Sequence, residues 1–166
     1  RPSAPGDPLN QPIVLASNFR AGGEYTRTHG TDTWAALEAA VGALEGGRAI
    51  AYASGMAAAS AIVYALAPKV VVIPTFSYLG VRSLLAEYQL QGHVELRPVD
   101  VTDTAAVAEA AMGSDVVWVE TPTNPTLDVA DLPAIAAASR AAGAHMVVDS
   151  TFATPLLQRP LQHGAS

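Results

Sequence analysis

Residues 145–155 read His-Met-Val-Val-Asp-Ser-Thr-Phe-Ala-Thr-Pro, "HMVVDSTFATP". A short apolar run through Met146, Val147 and Val148 meets the acid Asp149, then small hydroxyl residues, then Pro155. A brief apolar run bounded by turn signals suits a strand buried on both faces. Strands of that kind belong to parallel sheets covered by helices. Ligands of open α/β sheets sit at the carboxyl ends of the strands. Asp149 therefore either awaits a cationic partner or simply turns the chain and caps the next turn. Which of the two applies depends on what ends the other strands.

Working back from Asp149, the same unit recurs. "VADLPAIAAASRAAG" (129–143) reads as a helix stopped by Gly143, and "SDVVWVET" (114–121) as a strand. Before them come a helix "DTAAVAEAAMG" (103–113), a strand "HVELRPVD" (93–100) and a helix "YLGVRSLLAEYQLQG" (78–92). "KVVVIP" (69–74) is a strand, "GMAAASAIVYAL" (55–66) a helix, and "RAIAYAS" (48–54) the first strand. "TWAALEAAVGALEGG" (33–47) sets Trp34, Leu37, Val41 and Leu44 at helical spacing, with Asp32 or Thr33 as the cap and Gly46-Gly47 as the stop. Strands and helices thus alternate five times, and the strands are near-continuous Val/Ile runs. The fold class this predicts is α/β, three layers with helices on both sides of a mostly parallel sheet. Residues 34–166 form the α/β domain. Residues 1–33, opening with the proline-rich "RPSAPGDPLNQP" and without Met, read as an extended arm at a cut or processed start.

Bulk composition narrows the function. The chain has 166 residues, half of them apolar and 14% charged, with a net charge of −6 and no cysteine. That is enough for one domain with a real core. Without a basic cluster, nucleic acid is not expected as a partner. Without cysteine there is no disulfide framework or thiolate metal site, which suits a cytoplasmic setting. His29, His93, His145 and His163 lack ligand spacing, so no metal is expected. The apolar runs are too short and broken to span a membrane, and no signal peptide is expected.

Other strand ends carry polar residues too. The first runs into "ASGMAA" (53–58), where the backbone N–H groups of Gly55 and Met56 would stand at a helix N-terminus, a place suited to an anion or to a plain tight turn. The strand at 70–74 leads to Tyr78, positioned for stacking on a flat ligand or for packing. The strand at 115–119 ends in "ETPTNPT" (120–126), whose prolines would hold Glu120 and Asn124 in place. Neither a dinucleotide glycine fingerprint nor a Walker loop is present, which argues against a nucleotide-binding domain. Taken together, the strand ends offer free N–H groups, an aromatic ring, an amide and a carboxylate. Such a set suits a cofactor with a phosphate, a flat ring and a basic ring nitrogen.

In "EYTRTHGTDTWAALEAAVGALEGG", "SGMAA", "SYLG", "VETPTNPTLDVADL" and "VVDSTFATPLLQRPLQHGA" the chain resembles the pyridoxal-phosphate-dependent trans-sulfuration enzymes, the cystathionine γ-synthase and cystathionine γ-lyase type. The pieces run in one order from Tyr25 to the end. The resemblance implies the N-terminal part of an aspartate-aminotransferase-like large domain, fold type I, with pyridoxal 5'-phosphate as cofactor. It implies that Asp149 pairs with the protonated pyridine nitrogen, with Thr151 lining the same pocket. Tyr78 would stack on the ring, Asn124 approach its phenolic oxygen, and Gly55 and Met56 bind the phosphate. Tyr25 and Arg27 would reach the phosphate of a neighbouring subunit in a homo-oligomer, a tetramer built from dimers with shared sites.

The activity so implied is γ-elimination or γ-replacement on cystathionine or an O-acylated homoserine. Methionine γ-lyase, O-acylhomoserine sulfhydrylase and a non-catalytic fragment or paralogue are the alternatives. Several positions depart from the family pattern. "GTDT" (30–33) stands where Asn-Pro-Thr is usual, "LAPKVV" (66–71) replaces a Pro-Gly-Asp turn, and Leu79-Gly80 follows the stacking tyrosine in place of Gly-Gly. Methionine γ-lyases typically have Cys where Gly80 stands. The family's Schiff-base lysine is expected beyond "QHGAS", and Lys69, the only lysine, reads as a solvated surface residue.

Overall fold

A computed structural model describes residues 4–20 and 25–166. The chain divides into two compact units, residues 1–51 and residues 52–166.

The first unit holds helices α1 (Thr26–His29) and α2 (Asp32–Glu45). The α2 cap is Thr31, whose hydroxyl accepts the Trp34 N–H, and not the expected Asp32 or Thr33. Thr33 is engaged elsewhere: its Oγ1 accepts the Val14 N–H at 2.8 Å and donates to the Pro12 carbonyl at 3.0 Å. Thr26 Oγ1 likewise donates to the Ala16 carbonyl, so the chain before α1 lies along both helices. Gly46 ends α2 in the left-handed region, as a C-terminal glycine does.

The expected strand at 48–54 does not form. Ala51 donates its N–H to Glu38 Oε1 at 2.8 Å rather than to a neighbouring strand, and Ser54 is taken up as the cap of the next helix. An alanine-rich run has little β preference of its own, and here no sheet partner stands beside it.

The second unit runs α3 (Gly55–Leu66), β1 (Val70–Pro74), α4 (Leu79–Leu90), β2 (Glu95–Val99), α5 (Thr104–Ala111), β3 (Val116–Glu120), α6 (Leu132–Ala142), β4 (His145–Asp149), then the single turns α7 (Thr154–Leu157) and α8 (Pro160–His163). The four strands are parallel in the order β2-β1-β3-β4.

Alternation along the strands builds two cores. Val72, Val117 and Val119 face Val107 and Ala111 of α5 and Leu132, Ile135 and Ala136 of α6. Val71, Ile73, Val116 and Trp118 face Ala59 and Val63 of α3 and Val81 and Leu85 of α4. The expected three-layer α/β/α arrangement is therefore present, with β1 and β3 buried on both sides. Leu85 and Ile135 are fully buried and fix α4 and α6 to opposite faces, each burial worth ~1.5–3 kcal/mol.

Strand order also matters for function. From β1 the chain moves outward to β2 through α4, whereas from β3 it moves the other way to β4 through α6. Right-handed crossovers in opposite directions place their helices on opposite faces. The carboxyl ends of β1 and β3 thus part at a topological switch point, the place where such sheets form a crevice.

Candidate functional site

Tyr78 follows β1 as the residue before α4 and is 45% exposed. Asn124 follows β3 in the loop 121–131 and is half-buried. Asp149 is the last residue of β4, and its register partner on β3 is Glu120. Three of the residues singled out in the sequence therefore stand at the carboxyl ends of three adjacent strands, around the switch point.

Gly55 and Met56 open α3, which runs back towards β1 and so begins at the same end of the sheet. Ser54 Oγ accepts the Ala57 N–H at 3.1 Å. The N–H groups of Gly55 and Met56 have no acceptor among the described residues, and the space where a Cβ would stand at Gly55 is open. A first turn with free N–H groups and room beside it suits an anion. Gly80 joins this helix to the next: a Cβ there would lie 2.7 Å from Met56 Sδ and 2.6 Å from the Tyr78 ring. The absence of a side chain at Gly80 allows these two to close over α4.

Asp149 uses its two oxygens differently. Oδ1 accepts both the Thr151 N–H, at 3.0 Å, and the Thr151 hydroxyl. Oδ2 has no partner among the described residues. The turn-making role left open by the sequence belongs to Oδ1, and the second oxygen remains available. Asp149 and Glu120 end neighbouring strands in register, and neither forms an ion pair among the described residues. Two carboxylates so placed favour a cationic ligand.

Glu120 is 5% exposed. Its Oε2 accepts the Tyr78 N–H at 2.7 Å and its Oε1 accepts the Asn124 N–H at 2.6 Å. Burial pushes its carboxyl above the ordinary 4.5, these two N–H groups pull it down, and the charge of Asp149 adds to the upward push. Beside the flanking prolines, Glu120 itself ties the loops after β1 and β3 through these hydrogen bonds. The rest of that loop is knit by threonines the sequence reading passed over. Thr121 Oγ1 accepts the Ala130 N–H at 3.0 Å, and Thr123 Oγ1 accepts the Asp128 N–H at 2.9 Å. A buried Thr-x-Thr after an apolar strand was the only signal available.

Tyr25 and Arg27 lie in the first unit, Tyr25 as the residue before α1 and Arg27 within it, and both are exposed. Both belong to the first unit, whereas Tyr78, Asn124 and Asp149 belong to the second. Lys69 is exposed and precedes β1, at the opposite end of the sheet from Tyr78. No group of three or more His, Cys, Asp or Glu among the described residues could hold a metal ion. None of the described helices is long and apolar enough to cross a membrane.

The residues present suit pyridoxal 5'-phosphate on this chain's own chemistry: open N–H groups for a phosphate, an exposed ring for stacking and an unpaired carboxylate oxygen for a ring cation.

Comparison with known proteins bears on the same point. A family model described as Cys/Met metabolism PLP-dependent enzyme matches residues 10–166. Cystathionine gamma-synthase of Mycobacterium tuberculosis is 41% identical, over 99% of this chain and 45% of its own length. Cystathionine beta-lyase MetC of Bacillus subtilis is 37% identical, over 94% of this chain and 42% of its own. The crystal structure of metB from Corynebacterium glutamicum superposes with a TM-score of 0.87 at 36% identity, over 95% of this chain and 44% of that one. The chain therefore spans less than half the length of these relatives. With the fold, the strand-end residues and a match that runs through nearly the whole sequence in agreement, the chain belongs to the pyridoxal-phosphate-dependent enzymes of Cys/Met metabolism.

Proposed function

We propose that this chain is the cofactor-holding part of an enzyme that eliminates or replaces the γ-substituent of cystathionine or of an O-acylated homoserine. The observation that carries the reading is the convergence of Tyr78, Asn124 and Asp149 on the carboxyl ends of β1, β3 and β4. Bound pyridoxal phosphate supplies an electron sink for the charge left when the substrate's α-proton departs. The chain's own residues bind and orient it. Asp149 Oδ2 meets the ring cation while Thr151 fixes the carboxylate through Oδ1. Asn124 addresses the ring's phenolic oxygen, and Tyr78 covers one ring face and keeps water from it. Gly55 and Met56 donate to the phosphate at the start of α3. Residues 1–33 serve as an arm, from which Tyr25 and Arg27 reach a neighbouring subunit's phosphate in a cytosolic homo-oligomer.

The resemblance supports this substrate class over methionine, because methionine γ-lyases typically have Cys where Gly80 stands. A Cys at that position would need both Met56 and Tyr78 to move, since its Cβ would lie within 2.7 Å of each.

The test uses the full-length protein that contains this chain, loaded with pyridoxal phosphate. With cystathionine alone, or with an O-acylhomoserine and cysteine, it should release a 2-oxo acid or form cystathionine. Asp149→Asn should keep the fold and lower turnover about tenfold or more, because a hydrogen bond to a charged group is worth ~1.5–3 kcal/mol. Cofactor binding without activity on either substrate, or near-normal turnover in the Asn variant, would overturn the reading.

A further inference from the structure

Glu120 stands at the switch point with a buried carboxylate, and no cation among the described residues pairs with it. Burying such a group is costly, so the protein must gain something that a neutral side chain would not supply. What it gains is visible in the donors. One oxygen takes the N–H of Tyr78, from the loop after β1, and the other takes the N–H of Asn124, from the loop after β3. These loops leave for opposite faces of the sheet, so no backbone ladder joins them beyond the strand ends. Among the described residues, no other side chain receives hydrogen bonds from both loops.

Chemistry restricts which residue could do this. Two inward N–H donors need two acceptors on one side chain. Glutamine offers one acceptor, and its NH2 would face the second donor. Aspartate has both oxygens but is one methylene shorter.

We propose that Glu120 is a positioning residue, a carboxylate clamp that sets Tyr78 and Asn124 at a fixed separation across the crevice so that ring and amide address one flat ligand. The clamp acts through those two residues and touches neither cofactor nor substrate. It rests on the reading that Tyr78 and Asn124 contact pyridoxal phosphate. Its register partner Asp149, facing the same ligand from β4, is the other charge it must accommodate.

The experiment compares the full-length wild type with Glu120→Gln and Glu120→Asp. Hydrogen–deuterium exchange without cofactor is read at the Tyr78 and Asn124 amides, with Val117 and Val147 as strand references. Pyridoxal phosphate affinity and the visible circular dichroism of the bound cofactor are then measured. In Glu120→Gln one of the two loop amides should exchange about tenfold faster or more, while the strand references keep their protection. The dissociation constant should rise about tenfold, and the visible dichroism should fall as the ring loses its fixed orientation. Glu120→Asp, keeping both acceptors, should restore part of the dichroism. Unchanged exchange and dichroism in Glu120→Gln overturn the clamp. Loss of protection at strand references and loops alike also overturns it, since Glu120 would then only support the fold. If the wild type binds no pyridoxal phosphate, the cofactor reading fails. That outcome is told apart from failure of the clamp by the exchange rates, which need no cofactor.

Discussion

At the scale of single residues, the paired carboxylates of Glu120 and Asp149 make the acid behaviour of the protein specific. Burial and the neighbouring Asp149 keep Glu120 above its ordinary value despite two N–H donors. An acid whose folded value is raised holds its proton longer in the folded state than in the unfolded chain. Stability from this group is therefore complete below 4.5 and is lost as pH rises through the raised folded value. Relative to Glu120→Gln, which has no such proton, the wild-type protein should lose stability across that window as pH increases. Urea unfolding of both proteins at a series of pH values checks this, and a difference that is flat or opposite in slope would contradict it. Asp149 was legible because an acid visibly ends an apolar run. The clamp was not, because Glu120 and Tyr78 are 42 positions apart and only the sheet brings them together.

Among the elements, α3 shows how a local signal becomes a site. Ser54 has an extended backbone, and its hydroxyl satisfies the Ala57 N–H, leaving those of Gly55 and Met56 facing outward. Ser54→Ala should cost ~1 kcal/mol of stability, and Ser54→Gly only a few tenths, as for other cap replacements. With the first turn frayed, pyridoxal phosphate should also bind several-fold more weakly to Ser54→Ala in the full-length protein. Denaturant melts and a binding titration measure both effects. The five longer helices were readable because caps and 3.6-residue spacing are local. Residues 48–54 misled because a strand exists only where another strand accepts its hydrogen bonds, and Ala51 finds Glu38 instead.

For the whole molecule, the arm carries the prediction. Arg27 is exposed and forms no ion pair among the described residues, and a guanidinium with five donors suits a phosphate. If the arm serves a neighbouring subunit, Arg27→Ala and Asp149→Ala should each be inactive alone in the full-length protein. Mixed oligomers made by refolding the two together should recover a fraction of wild-type activity, since some sites join an intact arm to an intact pocket. Mixed oligomers shown to form, yet as inactive as either parent, would place the arm's action within its own subunit.

The amino-acid sequence by itself determined the α/β class, the five longer helices α2 to α6, four of the five expected strands and the residues that end them. Each of these rests on spacing, caps or apolar runs within a dozen residues of chain. Tertiary structure alone decided the strand order β2-β1-β3-β4, and with it the position of the switch point. It also decided which oxygen of Asp149 is free, that a side chain at Gly80 would displace Met56 and Tyr78, and that Glu120 ties two loops together. The physical reason is the same throughout: each depends on contacts between segments distant in the chain, and local pattern carries no record of which segments will meet.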